Sequence, residues 1–402
     1  MQGGAVVKGF DVVIAGAGPA GSAAAAVLAG RGLSVVVVDR ERPPRHKLCG
    51  GLLTSKSMDA LRRVFGLSET ALRHSGGLFH ATPDYLFLHQ SRPLLSGHAA
   101  EPFRFVDRPP FDALLLKTAI RRGAAFFPSA AATGCDPEKG LLHTTLGDFQ
   151  GRYLIGADGA NSVLRRSLTA AGLAPKAQWQ HNLAAAIEVE LPHGVGPGLF
   201  PREVRTPELH VGQPEAGYGW VFPGPRGPKI GICGLTRLSS DFGTIFRNYL
   251  DTLGVPEPHT IPLRGHPLPY GNALPNPCLH RLLLTGDAAG LVEPLFGEGI
   301  FYAMHTGAHA ASAILTALDF SSGPHAAHAE YQRLLAATVR PELLWSDRLR
   351  WVLFRALKHL GPSPIHLFVK SAPARLAEMV HGRRSFRLLA RKRWEWGRGV
   401  AD

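Results

Sequence analysis

Six residues near the N-terminus carry the plainest chemical meaning in the chain. Gly16-Ala17-Gly18-Pro19-Ala20-Gly21 spaces three glycines so that a strand can turn tightly, bring backbone N–H groups against a phosphate, and seat a helix close by. The Ala-rich run from Gly21 to Gly30 follows directly, so the positive end of a helix faces the phosphate charge. Asp39 closes a second apolar run that begins at Ser34, where a carboxylate accepts from ribose hydroxyls. Strand, glycine turn, helix, strand and acid in this order make a βαβ dinucleotide-binding unit. Gly16, Gly18, Ala20, Gly21 and Asp39 are its candidate contacts.

A second constellation selects the dinucleotide. The apolar run from Arg281 leads into Gly286-Asp287, then Gly297-Glu298-Gly299, and a helical stretch opens near Ile300. A second helix N-terminus suits phosphate or flavin carbonyls, and Asp287 suits ribityl hydroxyls. A simple nicotinamide site has no need of it, so the expected cofactor is FAD, bound tightly and without a covalent link. The glycines of Gly194 to Gly198 lack a βαβ frame and are expected to be a turn. With no further fingerprint, NADPH as electron source would bind transiently near Gly156 to Gly159, and a reduced protein donor is the alternative.

Two more groups concern the substrate. In the loop Glu41 to Gly51, Cys49 stands between Arg45, His46 and Lys47 and the pair Gly50-Gly51, a cationic setting for a thiol in which glycine permits close approach of backbone. Cys49 is the candidate catalytic residue, with a small packed residue as the other reading. Tyr218, Trp220 and Phe222 alternate along a strand and so share one face, a surface suited to an apolar ligand. Arg108 offers a guanidinium for phosphate or ribityl oxygens.

Together these motifs resemble the geranylgeranyl reductase family of flavoproteins, within the fold shared with para-hydroxybenzoate hydroxylase. The resemblance runs from about Phe10 to about Leu318 and includes the CGG loop, Arg108 with Phe111-Asp112, Gly156 to Ser162, and Gly217 to Pro223. It implies FAD contacts at Ala20, Asp39, Cys49, Gly50, Arg108, Ala132, Asp287, Gly299 and Ile300, and Arg45, Asp158 and Gly297 are further candidate cofactor contacts. It sets the Cys49 loop beside the isoalloxazine ring and makes Tyr218, Trp220, Phe222 and Pro223 the wall of an isoprenoid pocket. The implied reaction saturates carbon-carbon double bonds of a prenyl lipid or prenyl diphosphate. An FAD monooxygenase or halogenase acting on an aromatic substrate is the alternative within the fold, although halogenases carry a WxWxIP element where this chain has YGWVFP. A flavoprotein relaying electrons to a membrane quinone is the alternative outside that chemistry.

The elements that must hold these residues follow from pattern. At 402 residues, 45% hydrophobic and 19% charged, the chain has the length and composition of a multidomain globular enzyme rather than a disordered, collagenous or coiled-coil protein. The expected class is α/β: a Rossmann-like FAD domain from residues 1–75, 106–180 and 276–322, and an inserted antiparallel β substrate domain from 76–105 and 181–275. The segment 76–105 is expected as short strands, and 323–402 as a helical basic region.

Lys plus Arg number 44 against 31 Asp plus Glu, but 14 against 5 fall between Arg340 and Asp402, so most of the excess is C-terminal. The run from His381 to Gly399 mixes basic residues with Phe386, Leu388, Leu389, Trp394 and Trp396, the composition of a segment lying on an anionic membrane. No nucleic-acid partner is expected. Four scattered cysteines and the lack of ligand spacing among 19 histidines argue for a reducing cytoplasm and against a metal site, with the basic tail adding a peripheral membrane position.

Overall fold

The computed structural model describes residues 7–387, apart from 90, 215–216, 239–240, 322, 364–365, 368–369 and 371–372. Strands β1 (Val7–Ala15) and β2 (Val35–Val38) are rich in β-branched residues, and from Val12 to Ala15 and Val35 to Val38 they are buried on both faces, as a sheet covered by helices requires. They pair in parallel, Val12 opposite Val35. On the other side β1 pairs in parallel with β9 (Gly147–Gly156), and β16 (Leu282–Leu284) follows it. With β15 (Cys278–Leu279) and β6 (Ala125–Phe127) the order is β15-β16-β9-β1-β2-β6, and β7 (Ala132–Asp136) and β8 (Leu141–Thr144) extend from β9.

Because β1, β2, β9 and β16 run in one direction, their C-terminal ends lie along one edge. The residues just beyond those ends are Gly16, Asp39, Asp158 and Asp287, so parallel pairing alone gathers four candidates separated by up to 271 positions. Helix α1 (Pro19–Ala29) is buried throughout, and its small residues allow a close neighbour. A Cβ on Gly307 would stand 2.2 Å from the Ala20 carbonyl oxygen.

The second sheet has the order β14 (Arg264–Pro269), β10 (Leu183–Glu190), β13 (Lys229–Leu235), β12 (Gly217–Phe222), β11 (Glu208–Val211), β4 (Leu78–His89), β5 (Arg92–Val106), β3 (Leu52–Leu53). Its pairs are antiparallel except β11 with β4. The segment expected as short strands forms instead two long ones of 12 and 15 residues. Prolines obscured this in the sequence; Pro83 falls where the ladder shifts register between Thr82 and Asp84, a bulge that bends the strand without ending it. β3, in the stretch 1–75 assigned to the FAD domain, pairs with β5 in this second sheet.

Short helices α2 (Ser55–Ala60), α3 (Glu69–His74), α5 (Arg165–Ala170) and α6 (Lys176–His181) connect these strands, with α4 (Arg108–Arg121) against α1 and α7 (Phe242–Thr252) against β10. The C-terminal part is helical: α8 (Ile300–Asp319), α9 (Gly323–Thr338), α10 (Arg340–Leu360) and α11 (Pro373–Val380). Among the described residues no helix is long and apolar enough to cross a membrane. The basic run expected to lie on lipid is described only as far as Arg387, and there it packs on protein. Phe386 is buried with Leu295 and Met379, and Arg383 pairs with Glu101 and Asp59. Leu388, Leu389, Trp394 and Trp396 lie outside the described residues.

Candidate active site

The first part of the site is a cradle of backbone. Gly16 has φ +105°, and a Cβ there would lie 2.3 Å from the Ala157 carbonyl oxygen; a Cβ on Gly21 would lie 1.9 Å from the Gly16 oxygen. Neither clash can be relieved by a rotamer change, so these glycines are required by the turn itself. Gly18 caps α1 and is open, with only an Arg45 Nη2 within reach of an added Cβ, at 3.7 Å. The helix terminus and the Arg45 cation therefore face the same space. Asp39 Oδ2 accepts from Ala17 N at 2.6 Å and Oδ1 from Glu41 N at 2.8 Å, which pins the acid at the turn with lone pairs remaining for hydroxyl donors.

The remaining predicted contacts divide. Ala130 N donates to the Asp39 carbonyl oxygen at 2.9 Å, which brings the neighbouring Ala132 to the Asp39 end of the cleft. Asp158 caps its own loop through Val163 N (2.7 Å) and Leu164 N (3.3 Å), its Oδ1 is buried without a partner, and burial raises its pKa. Asp287 stands 3.7 Å from Lys47 Nζ, and its Oδ1 is 3.7 Å from where a Gly299 Cβ would be, so it borders the open terminus of α8 at Ile300. Arg108 is engaged within the chain. Its guanidinium is buried in a two-point ion pair with Asp112 (2.9 and 2.8 Å), which with Cys49 beside it outweighs burial and raises its pKa. Asp112 thus holds Nε and Nη2 and fixes the guanidinium near Cys49.

Gly50 stands against the aromatic strand. An added Cβ would come within 2.7 Å of the Phe222 ring and 3.4 Å of Trp220 Nε1, so Gly50 lets the cysteine loop pack on the aromatic strand. Cys49 is thereby fixed: its N–H donates to Glu188 Oε1 at 3.1 Å and its Sγ accepts from Gly51 N at 3.4 Å. Glu188 also accepts from Trp220 Nε1 at 3.1 Å, tying loop and wall together, and burial pushes its pKa up to about 7 despite nearby Lys229. The sequence reading passed over Glu188. Its only signal was a carboxylate on the face of β10 that Ala184 and Ala186 otherwise make small and apolar.

Beyond the loop lies an apolar cavity of about 190 Å³ whose wall includes Cys49, Tyr218, Trp220, Phe222, Gly297 and Ile300. The three aromatics do share a face, with ring centroids 6.0 Å apart for Tyr218 and Trp220 and 6.3 Å for Trp220 and Phe222. Pro223 is buried just past the strand and is not part of the lining. Tyr218 donates to the Phe296 carbonyl, and an added Cβ on Gly297 (φ +68°) would stand 2.8 Å from the Tyr218 hydroxyl, so the aromatic strand and the GEG loop touch. That loop is anchored by Glu298, which accepts from Thr54 at 2.8 Å and pairs with the buried Lys56 at 2.5 Å. His266 joins the lining, its pKa lowered by burial and by Lys47. Leu376, Ala377 and Val380 of α11 complete the wall from a part of the chain where no motif signalled a site.

Residues 9–193 match the FAD binding domain family. A menaquinone reductase of Mycolicibacterium smegmatis is 32% identical over 83% of this chain and 84% of its own length, and a geranylgeranyl diphosphate reductase of Rhodobacter capsulatus is 28% identical over 77% and 76%. The chain belongs to the geranylgeranyl reductase family of FAD-dependent oxidoreductases. Its fold is that of a geranylgeranyl bacteriochlorophyll reductase-like protein of Thermoplasma acidophilum, with TM-score 0.73, 20% identity and 95% and 94% of the two chains covered. Flavin-dependent halogenases share the fold at 16 to 18% identity, with TM-scores of 0.66 and 0.68.

The residues present fit FAD. The glycine turn leaves room for a pyrophosphate that side chains would fill, Arg45 supplies a cation above the α1 terminus, and Asp39 and Asp287 stand at the two ends of the cleft with acceptor capacity for ribose and ribityl hydroxyls.

Proposed function

We propose that the protein saturates carbon-carbon double bonds of a prenyl chain, as a geranylgeranyl reductase-like enzyme. The observation that carries the reading is the apolar cavity between the Cys49 loop, the aromatic face of β12 and the Gly297 to Ile300 turn. A second apolar cavity, sharing Tyr218, Phe296 and Leu376 with the first, continues it away from Cys49. Two apolar cavities sharing a wall suit a long chain better than a compact aromatic ring. The names of the relatives, a menaquinone reductase and a geranylgeranyl diphosphate reductase, support a reductase.

Held by the glycine turn, Asp39 and Asp287, reduced FAD would supply the hydride that one carbon of the double bond takes up. The protein's part is position, dryness and a proton. An isolated alkene offers no polar handle, so Tyr218, Trp220 and Phe222 hold it by shape and keep water out. Cys49 is the proposed donor of the proton that the second carbon takes up, and Glu188 keeps its loop against the wall. Tyr218 and Trp220 already engage Phe296 and Glu188, so the wall turns few unsatisfied polar groups toward an apolar ligand. Electrons are proposed to come from NADPH or a reduced protein.

Anaerobic reduction of the purified protein with dithionite, followed by geranylgeranyl diphosphate, tests the reading. Products heavier by two hydrogens per reduced bond are expected by mass spectrometry. No product, together with fast oxidation of the reduced flavin by O2 when an aromatic ligand is added, would select the monooxygenase chemistry instead.

A further inference from the structure

Helix α10 carries an outer face that no described part of the chain covers. Leu344, Arg348, Val352, Arg355 and His359 recur at intervals of four and three and so share one stripe, and every one of them is exposed. Leu344 is 50% and Val352 62% exposed, with Leu360 at 68% and Leu367 at 73% just beyond. Nine large hydrophobic side chains are exposed among the described residues, and these four, all between 344 and 367, are a concentration that the rest of the surface does not repeat.

The other side of the same helix supplies Leu353, Phe354 and Leu357 to the second apolar cavity, which shares Tyr218, Phe296 and Leu376 with the wall of the one at Cys49. One helix therefore separates an exposed apolar and basic stripe from the far end of the proposed chain channel. Long basic side chains interleaved with apolar ones suit the boundary where acyl chains meet headgroups, because their stems stay in the apolar layer and their charges reach the surface. The charge chooses the lipid: from Arg340 to Asp402 there are 14 Lys and Arg against 5 Asp and Glu, an excess that attracts an anionic surface.

We propose that α10 docks the protein on a bilayer containing anionic lipid, with Leu344 and Val352 in the acyl boundary and Arg348 and Arg355 among the headgroups, and that a lipid tail passes from the bilayer beneath α10 into the channel. The passage of a tail rests on the prenyl-chain reading; the docking does not.

Flotation of the FAD-loaded full chain with vesicles tests it. Vesicles of phosphatidylcholine with phosphatidylglycerol should carry the protein upward, and phosphatidylcholine alone should carry at least fivefold less. The double variant Leu344→Glu/Val352→Glu changes exposed residues outside both cavities, so it should retain its flavin and lose at least fivefold of the bound fraction. A companion variant, R391Q/K392Q/R393Q, separates the helix from the basic tail. Docking by α10 is overturned if no vesicle binds, if only the tail variant loses binding, or if the double variant instead dissolves a stable dimer present in solution. Flotation reads no turnover, so its failure is distinct from a failure of the alkene assay.

Discussion

The cofactor cradle and the substrate cavity are built in opposite ways. The cradle is made of backbone: Gly16 and Gly21 cannot take a side chain, α1 is buried along its whole length, and Ala20 lies against Gly307 with no room between. The cavity is made of side chains held apart, Tyr218, Trp220 and Phe222 facing Leu376, Ala377 and Val380 across open space. A phosphate is recognised by groups every residue carries, so its site needs small residues in a fixed turn. A hydrocarbon is recognised by shape, so its site needs large residues braced from outside, and here the braces are Glu188, Glu298 and Lys56.

The strongest way to break this contrast is Gly21→Val. The added carbon meets the Gly16 carbonyl at 1.9 Å, so the purified protein is expected to lack flavin absorbance and to unfold at lower temperature. Stoichiometric FAD in that variant would mean that the turn is not the cofactor's seat.

Cys49→Ala acts at the boundary between the two regions. FAD content should be normal and single-turnover alkene reduction should fall by ~100-fold, the low end for removal of a general acid. An unchanged rate with full FAD content would reduce Cys49 to packing.

Glu188→Gln has the smallest expected effect and sharpens the contrast through pH. Burial raises this carboxyl from the ordinary glutamate value of 4.5 to about 7, so between those values the folded protein binds more protons than the unfolded chain. The stabilising contribution is fully present below pH 4.5 and is lost as pH rises through about 7. Thermal unfolding of the variant across that window should show a shallower decline with pH. Glu293, which is also raised by burial to about 7, supplies a part that remains. Identical slopes in the two proteins would mean that the Glu188 carboxyl is not desolvated in the folded protein.

How much was legible depended on how local each feature is. The glycine turn, Asp39 and the GEG turn could be recognised because their chemistry is complete within a few residues of a strand end. The aromatic alternation was legible as a shared face but not in its extent, and Pro223 fell just outside it. The pairing of Arg108 with Asp112, one helical turn along, could be placed by spacing, but the burial of the pair could not. The long β4–β5 hairpin was hidden by prolines that bend it without ending it.

By itself, then, the sequence determined the βαβ unit, the nucleotide it binds and the aromatic strand, because short-range periodicity and turn geometry leave little choice there. Only the tertiary structure decided that Glu188, 139 positions from Cys49, ties the Cys49 loop to Trp220, that α11 forms one wall of the cavity, and that α10 turns an apolar and basic stripe outward while lining the second cavity with its other side. Those relations join residues through packing between distant segments. No spacing in the chain encodes which face of a helix another element will cover.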